Sequence, residues 1–265
     1  MATPLLRAAW SYRGFILGSV RREFEARYRR SMLGAAWTVL NPLAMIAVYT
    51  LVFSQLMKAR LPGVTSDFAY SIHLCAGIFA WGLFAEITGR ALTMFSDNAN
   101  LLKKLSFPRI CLPAIVVCNA TLNFLIVFLL FSAFLLASGN FPGIAWLAAL
   151  PLLLIQIAFS IGLGMILGVL NVFFRDVGQL FGIVLQFWFW LTPIVYPVSV
   201  IPEKFHPFLL LNPMTQLVAG WQGIFVQGIA PDWPGLLPTM LVSVVLCALA
   251  LHLFRRRAGE MVDEF

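Results

Sequence analysis

The chain has 265 residues, of which 61% are hydrophobic and only 11% are charged, and its mean hydropathy is +0.90. This composition excludes an ordinary soluble protein, and it excludes catalysis by a large soluble domain. Uncharged stretches of 18 or more residues are long enough to cross about 30 Å of hydrocarbon as helices. The net charge of +7 comes from basic residues that flank apolar runs, where they meet anionic lipid, so we expect no nucleic-acid partner.

Residues 1–30 form a basic segment whose pattern predicts an amphipathic helix lying on the membrane surface. Val20, Phe24 and Tyr28 recur every four residues and therefore share one helical face, and Arg21, Arg22 and Arg27 lie among them. The alternative is a solvated basic arm. The segment has no short apolar region followed by a cleavage site, so we expect it to be retained rather than removed as a signal peptide.

Residues 31–265 are predicted to form a transmembrane domain with six spans. The uncharged run between Arg109 and Arg175 is too long for one span and carries a dense turn signal at 138–143, which predicts a hairpin of two spans. Pro42 interrupts the first span and removes a backbone donor there. The predicted spans are about 31–57, 68–92, 110–137, 144–173, 177–198 and 235–254.

The stretch from Pro197 to Pro234 predicts two short re-entrant or interfacial helices. It is too short for two further spans with their turns, yet it is too apolar for an ordinary soluble loop. Asn212 followed by Pro213 is typical of the start of a helix and marks the second of the two. The expected fold class is therefore an all-α membrane protein with six transmembrane helices, an N-terminal amphipathic helix and two short re-entrant helices.

The distribution of Lys and Arg predicts the orientation of this domain. With six spans, fourteen of the eighteen basic residues lie on the side that holds both termini and the loop around Lys103, and Arg90 lies at the edge of that side. The other side holds only Lys58, Arg60 and Lys204. Because cytoplasmic loops carry the excess of Lys and Arg, both termini are expected in the cytoplasm.

The charges within the spans argue against ion-coupled transport, which needs ionisable groups near the middle of the membrane. Glu86 is the one acidic candidate, but it stands near the cytoplasmic headgroups with Arg90 one helical turn later, which predicts a structural ion pair. The sequence contains no Gly-x-x-x-x-Gly-Lys-Ser/Thr phosphate loop. If ATP drives the protein, ATP and Mg therefore bind a separate chain, and no cofactor is expected in this one.

The cytoplasmic loop at 96–109 is a candidate contact for such a partner. It offers an N-cap at Ser96 or Asp97, a short helix and a proline stop, and the helix should expose three leucines at one side: Leu101, Leu102 and Leu105. A short apolar and basic helix of this kind suits docking in a groove of a soluble subunit. The alternative is an interfacial loop whose leucines dip into lipid.

Several motifs, in order along nearly the whole chain, resemble the polysaccharide-exporting type 2 ABC permeases. Ile110 departs from this pattern, because many members carry an acidic residue after Phe-Pro-Arg. The motifs that carry the resemblance are Arg-Tyr-Arg-Arg-Ser-Met-Leu-Gly at 27–34 with Trp37 and Leu-Asn-Pro at 40–42, Val-Tyr-Thr-Leu-Val-Phe-Ser at 48–54, Asn-Ala-Asn-Leu-Leu-Lys-Lys at 98–104 with Phe-Pro-Arg at 107–109, Phe-Phe-Arg-Asp-Val at 173–177, Trp-Leu-Thr-Pro-Ile-Val-Tyr-Pro at 190–197 and Leu-Asn-Pro at 211–213.

The resemblance implies the membrane subunit of an O-antigen, teichoic-acid or capsule exporter in the bacterial inner membrane. Such a protein works as a homodimer with two copies of a nucleotide-binding subunit, and lipid-linked glycan moves through a channel between the protomers. The N-terminal helix would shape the cytoplasmic channel entrance. The resemblance assigns a coupling helix to Asn98, Asn100, Leu101, Leu102, Lys103, Lys104 and Leu105, and a periplasmic gate to the short helices that carry Phe205, Phe208, Asn212, Trp221 and Phe225.

Two groups of aromatic and hydroxyl side chains are candidates to line the channel, because a neutral sugar offers hydroxyls and apolar C–H faces. Trp188, Thr192 and Tyr196, four residues apart in span five, share one helical face, and Tyr49 and Phe53 form a similar pair in span one. The alternative is that these rings pack against neighbouring helices or form interfacial belts.

Two other functions remain open from the sequence. One is a type 2 ABC permease for drugs or lipids, which usually has a large extracytoplasmic insertion or lacks the Phe-Pro-Arg loop. The other is a polytopic membrane transferase, which needs a catalytic constellation. The three histidines, His73, His206 and His252, are far apart in the sequence and have no acidic cluster near them.

Overall fold

The computed structural model describes residues 11–28, 33–56, 61, 66, 68–103 and 109–264, and the regular secondary structure of these residues is entirely helical. The α-helices in chain order are α1 (Arg13–Tyr28), α2 (Trp37–Tyr49), α3 (Ala69–Asp97), α4 (Ala99–Leu102), α5 (Cys111–Ala137), α6 (Ala149–Phe173), α7 (Asp176–Leu191), α8 (His206–Leu211), α9 (Pro213–Gln222), α10 (Trp233–Arg257) and α11 (Glu260–Asp263). Short 3-10 or π-helical segments lie at Gly34–Ala36, Thr50–Leu56, Gly143–Ala148, Val198–Val200, Glu203–Phe205 and Gly223–Gln227.

Helical stretches long and apolar enough to cross a membrane make this a multi-pass membrane protein. There are five of them within the described part of the chain, and they match five of the six predicted spans. The sixth candidate, α7, has 16 residues and is also apolar. At 1.5 Å per residue it is about 24 Å long, which is less than the hydrocarbon thickness of about 30 Å. The five stretches are Trp37–Ser54, Ala69–Asp97, Cys111–Ala137, Gly143–Phe173 and Trp233–Arg257.

The end of α7 corrects the prediction of a helix that continues to residue 198. A proline disfavours the helical conformation in the residue before it, because its ring clashes with that residue's backbone. Thr192, which precedes Pro193, is accordingly extended, with φ −101° and ψ 131°. The chain then bends through 192–196 and enters the short helices α8 and α9.

The N-terminal helix α1 packs against α5. Ile16 and Val20 are buried and Phe24 is half-buried, so the apolar face of α1 is at least partly covered by protein. The side chain of Tyr28, the third member of the predicted face, lies outside the described residues.

The bundle is centred on α6, which packs against α3 on one side and α10 on the other. A Cβ atom on Gly164 would lie 2.6 Å from the Cβ of Ala91, and one on Gly168 would collide with the carbonyl oxygen of Ala91. Towards α10, a Cβ atom on Gly162 would lie 2.9 Å from the backbone nitrogen of Cys247. Gly162, Gly164 and Gly168 therefore let α6 approach both neighbouring helices closely, as small residues do between membrane helices.

A buried glutamine joins three helices in this core. Gln156 of α6 donates to the carbonyl oxygen of Ala80 in α3 and accepts from the indole nitrogen of Trp221 in α9, both at 2.6 Å. Because lipid offers no alternative partners, a polar group at this depth is tolerated only when the protein satisfies it. Both hydrogen-bonding ends of the Gln156 amide are satisfied, and α9 is thereby fixed to the centre of the bundle.

Candidate functional site

An apolar cleft of about 600 Å³ lies where α7 ends and the short helices begin. We call it the aromatic cleft. Its walls come from the last turns of α7, the bend after it, α8 and the start of α9. The residues that line it are Trp188, Leu191, Tyr196, Ile201, Phe205, Phe208, Leu209, Leu211, Asn212 and Pro213.

Asn212 ties the walls of the aromatic cleft together. Its side-chain oxygen accepts from the backbone nitrogen of Met214 at 3.1 Å, which caps α9, and from the indole nitrogen of Trp188 at 2.8 Å. Its side-chain nitrogen donates to the hydroxyl of Thr192 at 3.0 Å. The Asn-Pro pattern that predicted a helix start thus also fixes α9 to the end of α7.

The shared face predicted for Trp188, Thr192 and Tyr196 is wrong, because α7 ends at Leu191. Thr192 is fully buried, and its hydroxyl donates to the carbonyl oxygen of Trp188 at 2.9 Å. Tyr196 donates through its hydroxyl to the carbonyl oxygen of Trp190. Trp188 and Tyr196 nevertheless both line the aromatic cleft, since the bend brings Tyr196 back towards the helix.

Trp188 is positioned by rings from two neighbouring helices. Its ring centroid lies 5.2 Å from that of Phe84 and 6.3 Å from that of Trp81 in α3, and 6.4 Å from that of Phe159 in α6. All three contacts are edge-to-face, a geometry that aromatic pairs prefer. The packing alternative considered for Trp188 is therefore part of the structure, and the same side chain also reaches the cleft.

The five gate candidates occupy two different places. Phe205, Phe208 and Asn212 line the aromatic cleft. Trp221 and Phe225 do not, because they are only 1% and 4% exposed within the core of the bundle. There they pack against phenylalanines of α5, Phe124, Phe128 and Phe131.

The second pair of channel candidates, Tyr49 and Phe53, lies at the same end of the bundle as the aromatic cleft. Tyr70, which was not predicted from the sequence, links this pair to the bend after α7. Their ring centroids are 6.5 Å apart, and Phe53 lies 5.1 Å from Tyr70 at the start of α3. The hydroxyl of Tyr70 donates to the carbonyl oxygen of Val195 at 2.6 Å. Tyr70 thus connects the first span to the bend after α7, a contact between residues 125 positions apart that local sequence pattern does not reveal.

At the opposite end of α3, charged and amide side chains form a network that includes the predicted pair. Arg90 Nε lies 3.0 Å from Glu86 Oε1, and Arg90 also bonds Glu23 of α1. Two asparagines of α5 complete the network: Asn119 donates to Glu23, and Asn123 donates to Glu86. Glu23, Asn119 and Asn123 were not predicted, because the contacts join residues that are distant in sequence.

The exposed face of α1 carries a second, local ion pair. The Arg21 guanidinium donates to Glu25 one turn later at 2.7 Å. This hydrogen bond, and then the negative charge of Glu25, raise the pKa of Arg21 above its usual value. Fully exposed pairs of this kind contribute little to stability.

The predicted coupling helix is short in the described part of the chain. α3 continues through Asp97, so the predicted caps at Ser96 and Asp97 are wrong, and α4 covers only Ala99–Leu102. Asn100 and Lys103 are exposed and Leu101 is half-buried. Lys104 and Leu105 lie outside the described residues.

Leu102 corrects the predicted exposed stripe of leucines. It is 2% exposed and belongs to the hydrophobic core together with Phe95 at the end of α3 and Phe254 at the end of α10. Arg109, the last residue of the Phe-Pro-Arg motif, donates to the carbonyl oxygen of Ala258 just after α10. The segment from Asn98 to Lys103, which we call the coupling segment, is thus anchored to the bundle by Leu102 and presents its polar side outward.

Comparison with known proteins places the chain among membrane transport proteins. It is 35% identical over 263 residues to the O-antigen export system permease protein RfbA of Myxococcus xanthus, and the match covers 98% of both chains. A Klebsiella pneumoniae protein of the same name is 30% identical over 236 residues, which is 89% of this chain and 88% of the relative. The polysialic acid transport protein KpsM of Escherichia coli is 23% identical over 242 residues, which covers 91% and 92% of the two chains.

The family comparison confirms the resemblance drawn from the motifs. The family model described as ABC-2 type transporter matches residues 16–226. This range contains the coupling segment, the network around Arg90 and the aromatic cleft. The chain belongs to the ABC-2 type transporter family.

Proposed function

We propose that this chain is the membrane subunit of an ATP-driven exporter that moves lipid-linked O-antigen polysaccharide across the bacterial inner membrane. The observation that carries this proposal is the 35% identity to an O-antigen export permease over 98% of both chains. The weaker identity to a polysialic acid transport protein supports the broader class of polysaccharide export. Teichoic acid, capsule, drugs and lipids are the alternative cargoes, and a membrane transferase is the alternative activity.

In this proposal the chain crosses the membrane six times, and both termini are cytoplasmic. The fifth crossing consists of α7 and the bend after it, α8 and α9 are re-entrant helices at the periplasmic end, and α1 lies at the cytoplasmic interface. The distribution of Lys and Arg supports this orientation. Irregular backbone at membrane depth is tolerated where protein buries it or a water-filled cavity adjoins it. The bend after α7, which borders the aromatic cleft, meets this condition.

Energy would come from two copies of a separate ATPase, which hold ATP and Mg. The coupling segment would contact this subunit through its exposed residues, Asn100 and Lys103, together with half-buried Leu101. The absence of a phosphate-loop motif from the sequence is consistent with a separate ATPase. A buried Leu102 would transmit force from the contact into α3 and α10 rather than form part of the contact itself.

Two protomers would form the channel through α2 and α7. In the most apolar 18 residues of the first span, only 11% of the residues are buried within the protomer, compared with 67% in the second span. α7 likewise buries a single residue, Phe181, and exposes a row of large apolar side chains outward. A second copy placed against these faces would enclose the aromatic cleft and separate it from lipid.

The chemistry of the aromatic cleft suits a neutral sugar chain. Trp188 and Tyr196 offer ring faces and polar edges, and Phe205 and Phe208 offer apolar faces for C–H groups. Asn212 adds amide hydrogen bonding at the same wall. No Lys, Arg, Asp or Glu lies among the described residues that line the cleft, which suits an uncharged glycan.

Deletion of the gene and complementation in the source bacterium test the proposal. We expect deletion to abolish surface O-antigen and to accumulate the lipid-linked polymer inside the cell, and wild-type protein to restore export. Phe208→Ala should reduce export severalfold, whereas Phe141→Ala, which changes an exposed phenylalanine outside the cleft, should not. Surface O-antigen that persists in the deletion strain contradicts the function.

The dependence on a separate ATPase needs its own experiment. Tagged permease should copurify with an ATPase chain, and the assembled complex should hydrolyse ATP faster when the lipid-linked glycan is added. Copurification with a glycosyltransferase alone, with no ATPase, would favour the transferase alternative.

A further inference from the structure

A second cavity, of about 440 Å³, lies next to the aromatic cleft and shares no lining residue with it. We call it the polar pocket. It is bounded by the start of α3, Val198 and Ser199 in the turn after α7, one side of α9 and the segment that leads into α10. Tyr196 lines the cleft and Pro197 lines the pocket, so the chain after α7 passes between the two cavities.

The base of the polar pocket is made by two buried polar side chains, His73 and Gln222, each only 8% exposed. The side-chain nitrogen of Gln222 lies 3.2 Å from His73 Nε2 and 3.4 Å from the carbonyl oxygens of both His73 and Pro193. The carbonyl oxygens can only accept hydrogen bonds, so the amide NH₂ group must face them. Because the same NH₂ group lies beside His73 Nε2, it donates to that nitrogen as well, and His73 Nε2 accepts.

This orientation leaves the carbonyl oxygen of the Gln222 side chain pointing away from its partners. Within the described part of the chain, this oxygen has no hydrogen-bond partner, although the side chain is more than nine-tenths buried. Among the described residues, the fully buried side-chain atoms without a partner are threonine hydroxyls, so the Gln222 oxygen is accessible from the cavity. An acceptor that is held rigidly at the base of an open cavity is suited to a ligand hydroxyl.

The rim of the polar pocket carries several hydrogen-bonding groups. The amides of Gln216 and Gln227 and the hydroxyl of Ser199 can both donate and accept, and the carboxylate of Asp232 accepts. No Lys or Arg is present among the described residues that line the pocket, and Asp232 would repel an anion. The number of polar groups disfavours an acyl chain, and the carboxylate of Asp232 disfavours a phosphate. A neutral ligand with several hydroxyls fits this set.

The wall formed by α9 and the segment that follows it includes the small residues Ala219, Gly220 and Gly223. A flat polyhydroxylated ring can therefore approach the helix backbone closely. The volume lies within the range of about 300–1,000 Å³ that is usual for small-molecule pockets.

We propose that the polar pocket is a saccharide subsite that binds one sugar residue of the exported chain on the outer side of the aromatic cleft. The proposal rests on the proposed export function and adds a second, hydrogen-bonding contact beyond the stacking surface of Trp188 and Tyr196. A hydroxyl of the sugar donates to Gln222, and other hydroxyls bond Gln216, Gln227 or Asp232 at the rim. A chain held in this way cannot slip back while the next unit enters the cleft.

Direct binding of monosaccharides tests the pocket without relying on export. Full-length protein in lipid nanodiscs is mixed with methyl glycosides of galactose, mannose, rhamnose and N-acetylglucosamine, and saturation-transfer-difference NMR measures binding. We expect transfer to at least one glycoside. Ala219→Phe, which fills the pocket from an exposed position on α9, should reduce this transfer at least fivefold.

A matched variant controls for the added phenylalanine. Val200→Phe places the same ring at a position that is exposed and lines neither cavity, and it should change the transfer less than twofold. Gln222→Leu should also abolish the saturation transfer. If Gln222→Leu does not fold, Ala219→Phe carries the test alone, provided that its thermal unfolding midpoint equals that of the wild type. No transfer to any of the glycosides, or equal transfer in Ala219→Phe and wild type, overturns the proposal.

Export assays separate failure of the subsite from failure of the proposed function. In the deletion strain, Ala219→Phe should restore less than one third of the surface glycan that Val200→Phe restores. If wild-type protein restores export and the glycosides do not bind, the function stands and the subsite is wrong. If glycosides bind in an Ala219-dependent manner but deletion leaves surface glycan intact, the pocket is a saccharide site and the export function is wrong.

Discussion

Replacement of Asn212 by Ala should destabilise the end of the bundle that contains the aromatic cleft. The change removes three hydrogen bonds at once: the cap on Met214, the acceptor for Trp188 and the donor to Thr192. Loss of an Asn cap costs about 1 kcal/mol. Side-chain hydrogen bonds between membrane helices average about 0.6 kcal/mol each. The three together give a free-energy loss of about 2 kcal/mol.

Thermal unfolding of the detergent-solubilised protein measures this loss. A change of 1 kcal/mol moves the midpoint by about 2–4 °C in a chain of roughly this size, so Asn212→Ala should lower it by about 4–8 °C. Asn212→Asp keeps both acceptor contacts and also suits a helix N-terminus, so it should recover at least half of the loss. Asn41→Ala, at an exposed position in α2, serves as the control and should shift the midpoint by less than about 2 °C. A midpoint for Asn212→Ala within 1 °C of wild type would refute the assignment of these bonds.

Three further predictions concern packing, the coupling segment and topology. Gly168→Ala should lower the same midpoint, because the new methyl group meets the backbone of α3 and overpacking costs about 1–3 kcal/mol, whereas Gly182→Ala, where the added atom meets open space, should have little effect. Leu102→Asp should reduce the amount of folded permease in the membrane, since a charge would be buried in the core; normal permease levels with loss of ATPase copurification alone would show that the side chain is exposed. In a cysteine-free background, Ser106→Cys should react with impermeant thiol reagents only from the cytoplasmic side, and labelling from outside would contradict the proposed orientation.

The spans were predictable because their signal is local. Hydropathy over 18 or more residues locates helices in lipid whatever their neighbours are, and five predicted spans agree with the structure to within a few residues except at the N-terminal end of the first. The end of α7 was also encoded locally, in Thr192-Pro193, but the run of apolar residues obscured it. The sequence indicates that aromatic residues are concentrated near the end of α7. Which of these residues line the cleft together depends on the bend after α7, which the sequence did not reveal.

Contacts between distant residues could not be predicted in the same way. Leu102 looks exposed in sequence because it lies in a short basic loop, yet it is buried in the hydrophobic core that also contains Phe95 and Phe254. The bond between Glu23 and Arg90 joins positions 67 residues apart, and the Trp221 to Gln156 bond spans 65 residues. A polar residue in an apolar helix indicates that a partner exists, but it does not identify that partner.

The glycine contacts of α6 have a mechanical consequence. Helices that meet backbone to backbone on both sides resist sliding past one another, so we expect α3, α6 and α10 to move as one rigid body. α2 and α7 bury far fewer residues against this body. In the proposed transport cycle, we therefore expect α2 and α7 to move relative to this body. Spin labels on α3 and α10 of one protomer should keep a constant separation through the ATP cycle, while the separation between labels on α7 and α3 changes.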